Sequence, residues 1–338
     1  MKNTHTFWVE AALTYTGTVI GAGFATGQEL LAFFVRYGVF GFCGILIAAA
    51  ALFFGGSLLL RVGQVRVDKR NLWLPSRYER LFYVAALIVT AAAMLAGSRA
   101  LFETATGHGG WWIPLLLGFA SLAPVVAGVQ GLFAINKWIV PLVVLTVFIT
   151  AIYNFLQPEV PIPSSSPSPA SLHAPWLPAS LAYAGLNLFL AMGVLFEIGS
   201  TLQAPHQRWQ VAGGGTILLL VCMALESSLL FYHPQWTHSP IPMLFAAQRL
   251  GDWMRRWFSM VIALEIYSTL VANLFAALAV MPVGEDPHRL GHSALFLLLS
   301  ISLSLLGFTQ LVNRLYPLLG FIGLLLVIRT LIHRPEVG

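Results

Sequence analysis

Gly17-Thr18-Val19-Ile20-Gly21-Ala22-Gly23-Phe24-Ala25-Thr26-Gly27-Gln28-Glu29 lies within a largely apolar run that begins near residue 7. Four glycines in eleven residues weaken a helix in any solvent. Inside a bilayer, unwound backbone persists only where it is buried in protein or lines a cavity. The stretch therefore predicts a first membrane helix that is broken at a site. A half-helix restarting near Phe24 would point free N–H groups and a positive dipole end inward, suited to a carboxylate or other anion. The carbonyls before the break would suit a cation. The competing reading is a small-residue face against which another helix packs closely. No strand precedes these glycines, so they are not a dinucleotide fingerprint.

The bilayer setting follows from composition. Of 338 residues, 58% are hydrophobic and 9% charged, with a mean hydropathy of +0.80. A soluble domain carries roughly a quarter charged residues, because its surface faces water. Apolar runs near the ~20 residues of a spanning helix recur from end to end, without the alternation of barrel strands. The chain reads as an all-α integral membrane protein with ten transmembrane helices. The spans are about 7–35, 39–61, 80–104, 111–131, 136–156, 178–203, 209–232, 254–283, 291–308 and 312–332. Residues 156–178, rich in Pro and Ser, form an external loop between two halves, about 7–156 and 178–332, of one domain covering 1–338. The segment from Pro234 to Asp252 is too short and polar to span, and reads as a surface helix or re-entrant hairpin.

The net charge of +5 does not imply nucleic acid, because the basic residues sit between spans rather than on one face. Instead they set topology. Arg61, Arg66, Lys69, Arg70, Arg77 and Arg80 crowd the loop after span two, which puts that loop and both termini in the cytoplasm of a bacterial-type inner membrane. Arg249, Arg255 and Arg256 fall outside and oppose this orientation. Cys43 and Cys222 lie in apolar spans and read as small core residues. The first apolar stretch is too long for a signal peptide.

The halves resemble each other. Leu13-Thr14-Tyr15-Thr16-Gly17 and Leu181-Ala182-Tyr183-Ala184-Gly185 share L-x-Y-x-G at an offset of 168, and Glu29 and Glu197 are related by the same offset. Five spans per half make the second half run opposite to the first, an inverted repeat. Span six then supplies a counterpart break at Tyr183-Ala184-Gly185-Leu186-Asn187, so helices 1 and 6 are both expected to be discontinuous. Asn187 either bonds substrate or glues two helices. Tyr183 reads as a packing or gating aromatic before a direct ligand, and Glu29 and Glu197 as paired gates or interfacial acids.

Span eight carries Glu265, Ser268 and Thr269 on one helical face. An acid at bilayer centre costs about 3 kcal/mol or more and needs a reason. Two hydroxyls and a carboxylate, with carbonyls of the broken first helix, would cage Na+, or Glu265 would take a proton. The alternative is a protonated Glu bonded to a neighbouring helix, with Ser268 and Thr269 bonding their own carbonyls. No nucleophile-and-base arrangement or P-loop is present, so an enzyme is not expected and no cofactor beyond a coupling ion is implied.

The stretch from Gly17 to Glu29 closely resembles the first-helix motif of the YkvI-like bacterial membrane proteins of the amino acid–polyamine–organocation superfamily. Their LeuT-like fold has two inverted five-helix repeats. The 183–187 stretch is similar to the sixth-helix break of that superfamily's amino acid transporters. The resemblance implies a substrate site at Gly21, Ala22, Gly23, Thr26, Tyr183 and Asn187, with backbone groups of residues 21–23 meeting a carboxylate. It implies a sodium site at the carbonyls of Gly17 and Ile20 with Ser268 and Thr269. Phe24 stands where symporters with a second sodium site carry Asn, and Glu265 replaces a small residue. The function implied is secondary transport of a small polar solute, an amino acid or related compound, coupled to Na+ or H+. The alternative is a transporter-fold receptor that binds without transporting.

Overall fold

In a computed structural model, residues 4–65, 76–122, 128–157, 175–280 and 287–332 are described, and among them every regular element is helical. The first span comprises α1 (Thr4–Val19), α2 (Ala22–Ala25) and α3 (Gln28–Phe33). Then follow α4 (Val39–Val65), α5 (Arg77–Thr106), α6 (Ile113–Ala120) and α7 (Gly128–Leu156). The second half holds α8 (Trp176–Thr201), α9 (Gln207–Tyr232), α10 (Met243–Gln248), α11 (Asp252–Val280), α12 (Pro287–Ser304) and α13 (Phe308–Ile332). Among the described residues, seven helices are long and apolar enough to cross a membrane. At 1.5 Å per residue the 27 residues of α4 extend about 40 Å, more than the hydrocarbon core requires. Large apolar side chains such as Leu46, Phe54, Ile217, Leu298 and Leu325 face outward, as lipid contact requires.

The expected boundary between spans four and five is corrected. The stretch 131–136 is not a loop, because α7 runs unbroken from Gly128 with Pro141 inside it, and α6 covers only Ile113–Ala120. The external loop and the basic residues Arg66, Lys69 and Arg70 lie outside the described residues.

A second correction concerns span six. The helix α8 is continuous for 26 residues and has no break at Gly185. Gly185 is a contact surface instead: a Cβ there would overlap the Gly320 carbonyl and Leu324, and a Cβ on Gly320 would overlap the Ala182 carbonyl. On another face, Gly63 and Gly199 bring α4 and α8 together in the same way, at the carbonyls of Phe196 and Leu60. The small residues of span six therefore let two neighbours approach its backbone, the ordinary basis of helix association in lipid. This places α8 in the interior, packed on α4 and α13, while α1 packs on α9 and α11 packs on α5 and α7.

The segment after α9 is a surface structure that reaches inward. It forms a 3-10 turn, Pro234–His238, and then α10, whose Met243, Leu244, Ala246 and Ala247 are buried. The opposing arginines have a local explanation here. Arg249 Nη1 donates to Asn154 Oδ1 (2.8 Å) and Nη2 to the Gln157 carbonyl (2.6 Å), and Arg255 Nη2 donates to the Thr104 carbonyl (2.6 Å). These carbonyls close the C-terminal ends of α7 and α5, where a cation complements the helix dipole. Elsewhere, Lys137 pairs with Glu10 across α7 and α1 (3.2 Å), and Arg329 pairs with Glu79.

Two stability outcomes follow. Gly320→Leu should destabilise the detergent-solubilised protein by upwards of about 2 kcal/mol, read as a lower melting temperature, because backbone rather than side chain is in the way. Gly213→Ala, whose Cβ would meet only Phe53 at 3.5 Å, should leave it unchanged. Arg249→Ala should cost about 1–3 kcal/mol by the same measurement, since it strips the partner from the buried Asn154 oxygen.

Candidate functional site

The first span breaks twice. The Ile20 amide still donates to the Thr16 carbonyl (2.8 Å), and the Ala25 amide to the Gly21 carbonyl (2.9 Å), but residues 20 and 21 leave the helix. Another helix takes over there: Thr269 Oγ1, from α11, donates to the Ile20 carbonyl at 3.4 Å. Gly21 lies against the same threonine. The second break is at Gly27, whose φ of +85° is a left-handed conformation suited to glycine. The Thr26 carbonyl accepts from the Met243 amide (3.3 Å), and Gln28 Nε2 donates to the Ser239 carbonyl (2.7 Å). The C-terminal end of the broken helix is thus pinned to the segment around α10.

The turn at Gly27 folds α3 back over α2. Glu29 is only 4% exposed, and its carboxyl lies so close to Gly23 that any side chain at 23 would overlap it. The acid read as a gate or an interfacial residue is therefore inside. It lines a cavity of about 30 Å³ together with Gly21, Asn187 and Thr269, four residues singled out in the sequence and now in one place. Thr18, Thr90, Asn273 and Tyr316 line it too. Asn273 follows Thr269 by one turn and Glu265 by two, so continuing the polar face of α11 by the same spacing finds it. Thr90 bonds the carbonyls of Ala86 and Leu87 within its own helix and has no comparable signal.

The other expected residues separate into groups. Glu265 is fully buried; Ser268 Oγ donates to its backbone carbonyl (3.1 Å) and lies 3.5 Å from its Oε1, while Oε2 has no partner. Neither Glu265 nor Ser268 lines the cavity, and Gly17 is buried nearby in sequence but also outside the lining. Thr26 is turned to local bonds, its Oγ1 donating to the Gly23 carbonyl (3.2 Å). Tyr183 has the surroundings of a packing aromatic. It packs edge-on against Phe33 and Phe34, with centroids at 5.4 and 4.9 Å, and is not in the lining. Asn187 Nδ2 donates to the Tyr183 carbonyl (2.9 Å), which holds the amide in place at the cavity wall. Glu197 is not in the cavity lining, so the cavity holds only one of the two related acids. Ala22 contributes backbone at the start of α2.

The lining is polar on the break side and apolar where Val19, Met94 and Leu186 close it. Its volume suits about two waters or an ion. A further acid, Glu226 of α9, is fully buried with neither carboxyl oxygen hydrogen-bonded.

No family model matches the chain. YkvI of Bacillus subtilis (strain 168), described as an uncharacterized membrane protein, is 28% identical over 93% of this chain and 92% of its own length. Among solved structures, MhsT in complex with L-phenylalanine is similar with a TM-score of 0.66 and 18% identity, over 94% of this chain and 87% of that one. The manganese transporter of Eremococcus coleocola also gives 0.66, with 14% identity over 98% and 81%. These likenesses carry the fold, and the whole-length similarity to a membrane protein points the same way: the chain is similar to YkvI from end to end and has a LeuT-like fold.

Proposed function

We propose that the protein is a secondary active transporter of a small polar solute, an amino acid or related compound, coupled to Na+ or H+ by alternating access. The observation that carries this reading is the Thr269 hydroxyl on the Ile20 carbonyl at the break, with the cavity of Gly21, Asn187 and Glu29 beside it. A helix interrupted in mid-membrane has a structural cost, and a solute and ion site at the break is what transporters of this architecture gain from it. The ion would sit among the carbonyls of Gly17 and Ile20 and the side chains of Ser268, Thr269 and Glu265, with Glu265 as ligand or proton carrier. The solute would meet Gly21–Gly23 and Asn187. Ten spans in two inverted repeats, with both termini cytoplasmic, complete this reading, and the membrane is a cell inner membrane.

A cavity of about 30 Å³ is smaller than an amino acid, so a solute enters only when the packing around it parts. On one side the cover is α3 and the α10 segment, joined through Thr26–Met243 and Gln28–Ser239. On the other it is α1 against α7, joined by Glu10–Lys137. Alternating access would release one set while the other holds.

Purified protein in liposomes should accumulate a labelled solute from an amino acid and amine panel when a Na+ or H+ gradient is imposed. Binding without gradient-driven accumulation overturns the reading. If Na+ is the ion, Thr269→Val should raise the Na+ concentration for half-maximal uptake about tenfold, the loss of roughly 1.4 kcal/mol of binding. If H+ is the ion, Glu265→Gln should abolish accumulation and leave exchange. Uptake unchanged by Thr269→Val, Ser268→Ala and Glu265→Gln removes the ion site.

A further inference from the structure

We propose that the solute carries a cationic group, an ammonium or guanidinium, and that Glu29 binds it. This rests on the transport reading for the purpose of the site, but it concerns only what the site recognises.

Two backbone features serve the placement of Glu29. The positive φ at Gly27 reverses the chain so that α3 folds over α2, and the missing Cβ at Gly23 leaves the room that the carboxyl fills. The result is an acid 96% buried, with no hydrogen bond or ion pair to any described residue, at the wall of the cavity. An unpaired carboxylate in such a setting is strongly disfavoured until a cation or proton joins it.

The rest of the lining is neutral. Among the described residues no Lys, Arg or His lines the cavity, so a solute carboxylate would face Glu29 without a counter-charge. The other polar groups are Thr18, Thr90, Asn187, Thr269 and Asn273, and the Asn273 amide nitrogen is buried without a partner. These suit the uncharged polar part of a solute. Glu226 of α9, a helix packed against α3, is a second buried acid with both oxygens unpaired. Glu29, at the cavity wall, therefore favours a positive group there. The carboxylate anticipated at the start of α2 from the sequence is supplied by the protein itself, in Glu29.

The test uses full-length purified protein, at fixed ionic strength, in a thermal-shift and equilibrium-binding assay that needs no transport. The probes are putrescine, agmatine and L-arginine as cations, L-leucine as a zwitterion, and L-glutamate and succinate as anions, each to millimolar concentration. At least one cation should bind and raise the melting temperature, with the anions inactive. Glu29→Gln, which keeps the shape, should weaken that cation on the order of 100-fold, as loss of one partner of a buried ion pair does. Glu29→Asp should keep a measurable part of the binding, and a melting temperature near the parent's for either variant shows that folding is intact. Binding of L-leucine, L-glutamate or succinate in preference to every cation, cation binding indifferent to both substitutions, or binding of no cation at all overturns the proposal. A cation that binds through Glu29 but never accumulates in liposomes sinks the transport reading and leaves the proposal standing.

Discussion

A peptide group that leaves its helix inside hydrocarbon must find a partner in the protein, and the site grows from that requirement at Ile20. Its carbonyl accepts from Thr269, a side chain of another helix. In lipid the unpaired alternative costs several kcal/mol. The exchange ties α1 to α11 at one point, and that point is where the cavity opens. It also makes the break conditional. A movement of α11 relative to α1 withdraws the partner, so the ends of the first helix are mechanically linked to the eighth span. Coupling of an ion to a solute needs such a link, because each must favour the same arrangement of helices.

Three glycine roles that look alike in sequence separate in space. Gly27 supplies a left-handed turn, Gly23 supplies room for a carboxyl, and Gly185 with Gly320 supplies close approach of two intact helices. The first helix and its unwinding were legible because four glycines crowd within eleven residues. The continuity of α8 was not. A lone Gly within a long apolar helix costs only about 1 kcal/mol, and helix packing outweighs that. Propensity says that a helix is weak at a residue, and only the neighbours decide whether the weakness becomes a break. The boundary at residues 131–136 failed for a related reason, since in a chain this apolar a polar residue such as Asn136 or Lys137 need not end a helix.

Within the site, what one helix carries was readable and what a turn redirects was not. Glu265, Ser268 and Thr269 share a face by spacing alone, and extending that spacing by one turn reaches Asn273. Glu29 has no such guide. Counted along a straight helix it lies at the outer end, and the reversal at Gly27 brings it inside. Tyr183, read first as a packing or gating aromatic and only by resemblance as part of a substrate site, has its ring packed by Phe33 and Phe34, which the same reversal delivers.

The electrostatic character of the site follows from that reversal. A straight broken helix offers two opposite ends, amides for an anion and carbonyls for a cation. Here the chain's own carboxyl lies over the amide side, and Glu226 and Glu265 are buried with unpaired oxygens in the surrounding helices. Glu29 lines the cavity, where no described residue is basic, and an unpaired buried carboxylate is strongly disfavoured until a cation or a proton joins it. A positive group at the break, whether proton, metal ion or solute, would therefore meet the chain's own acid rather than the bare amide end that a straight broken helix offers.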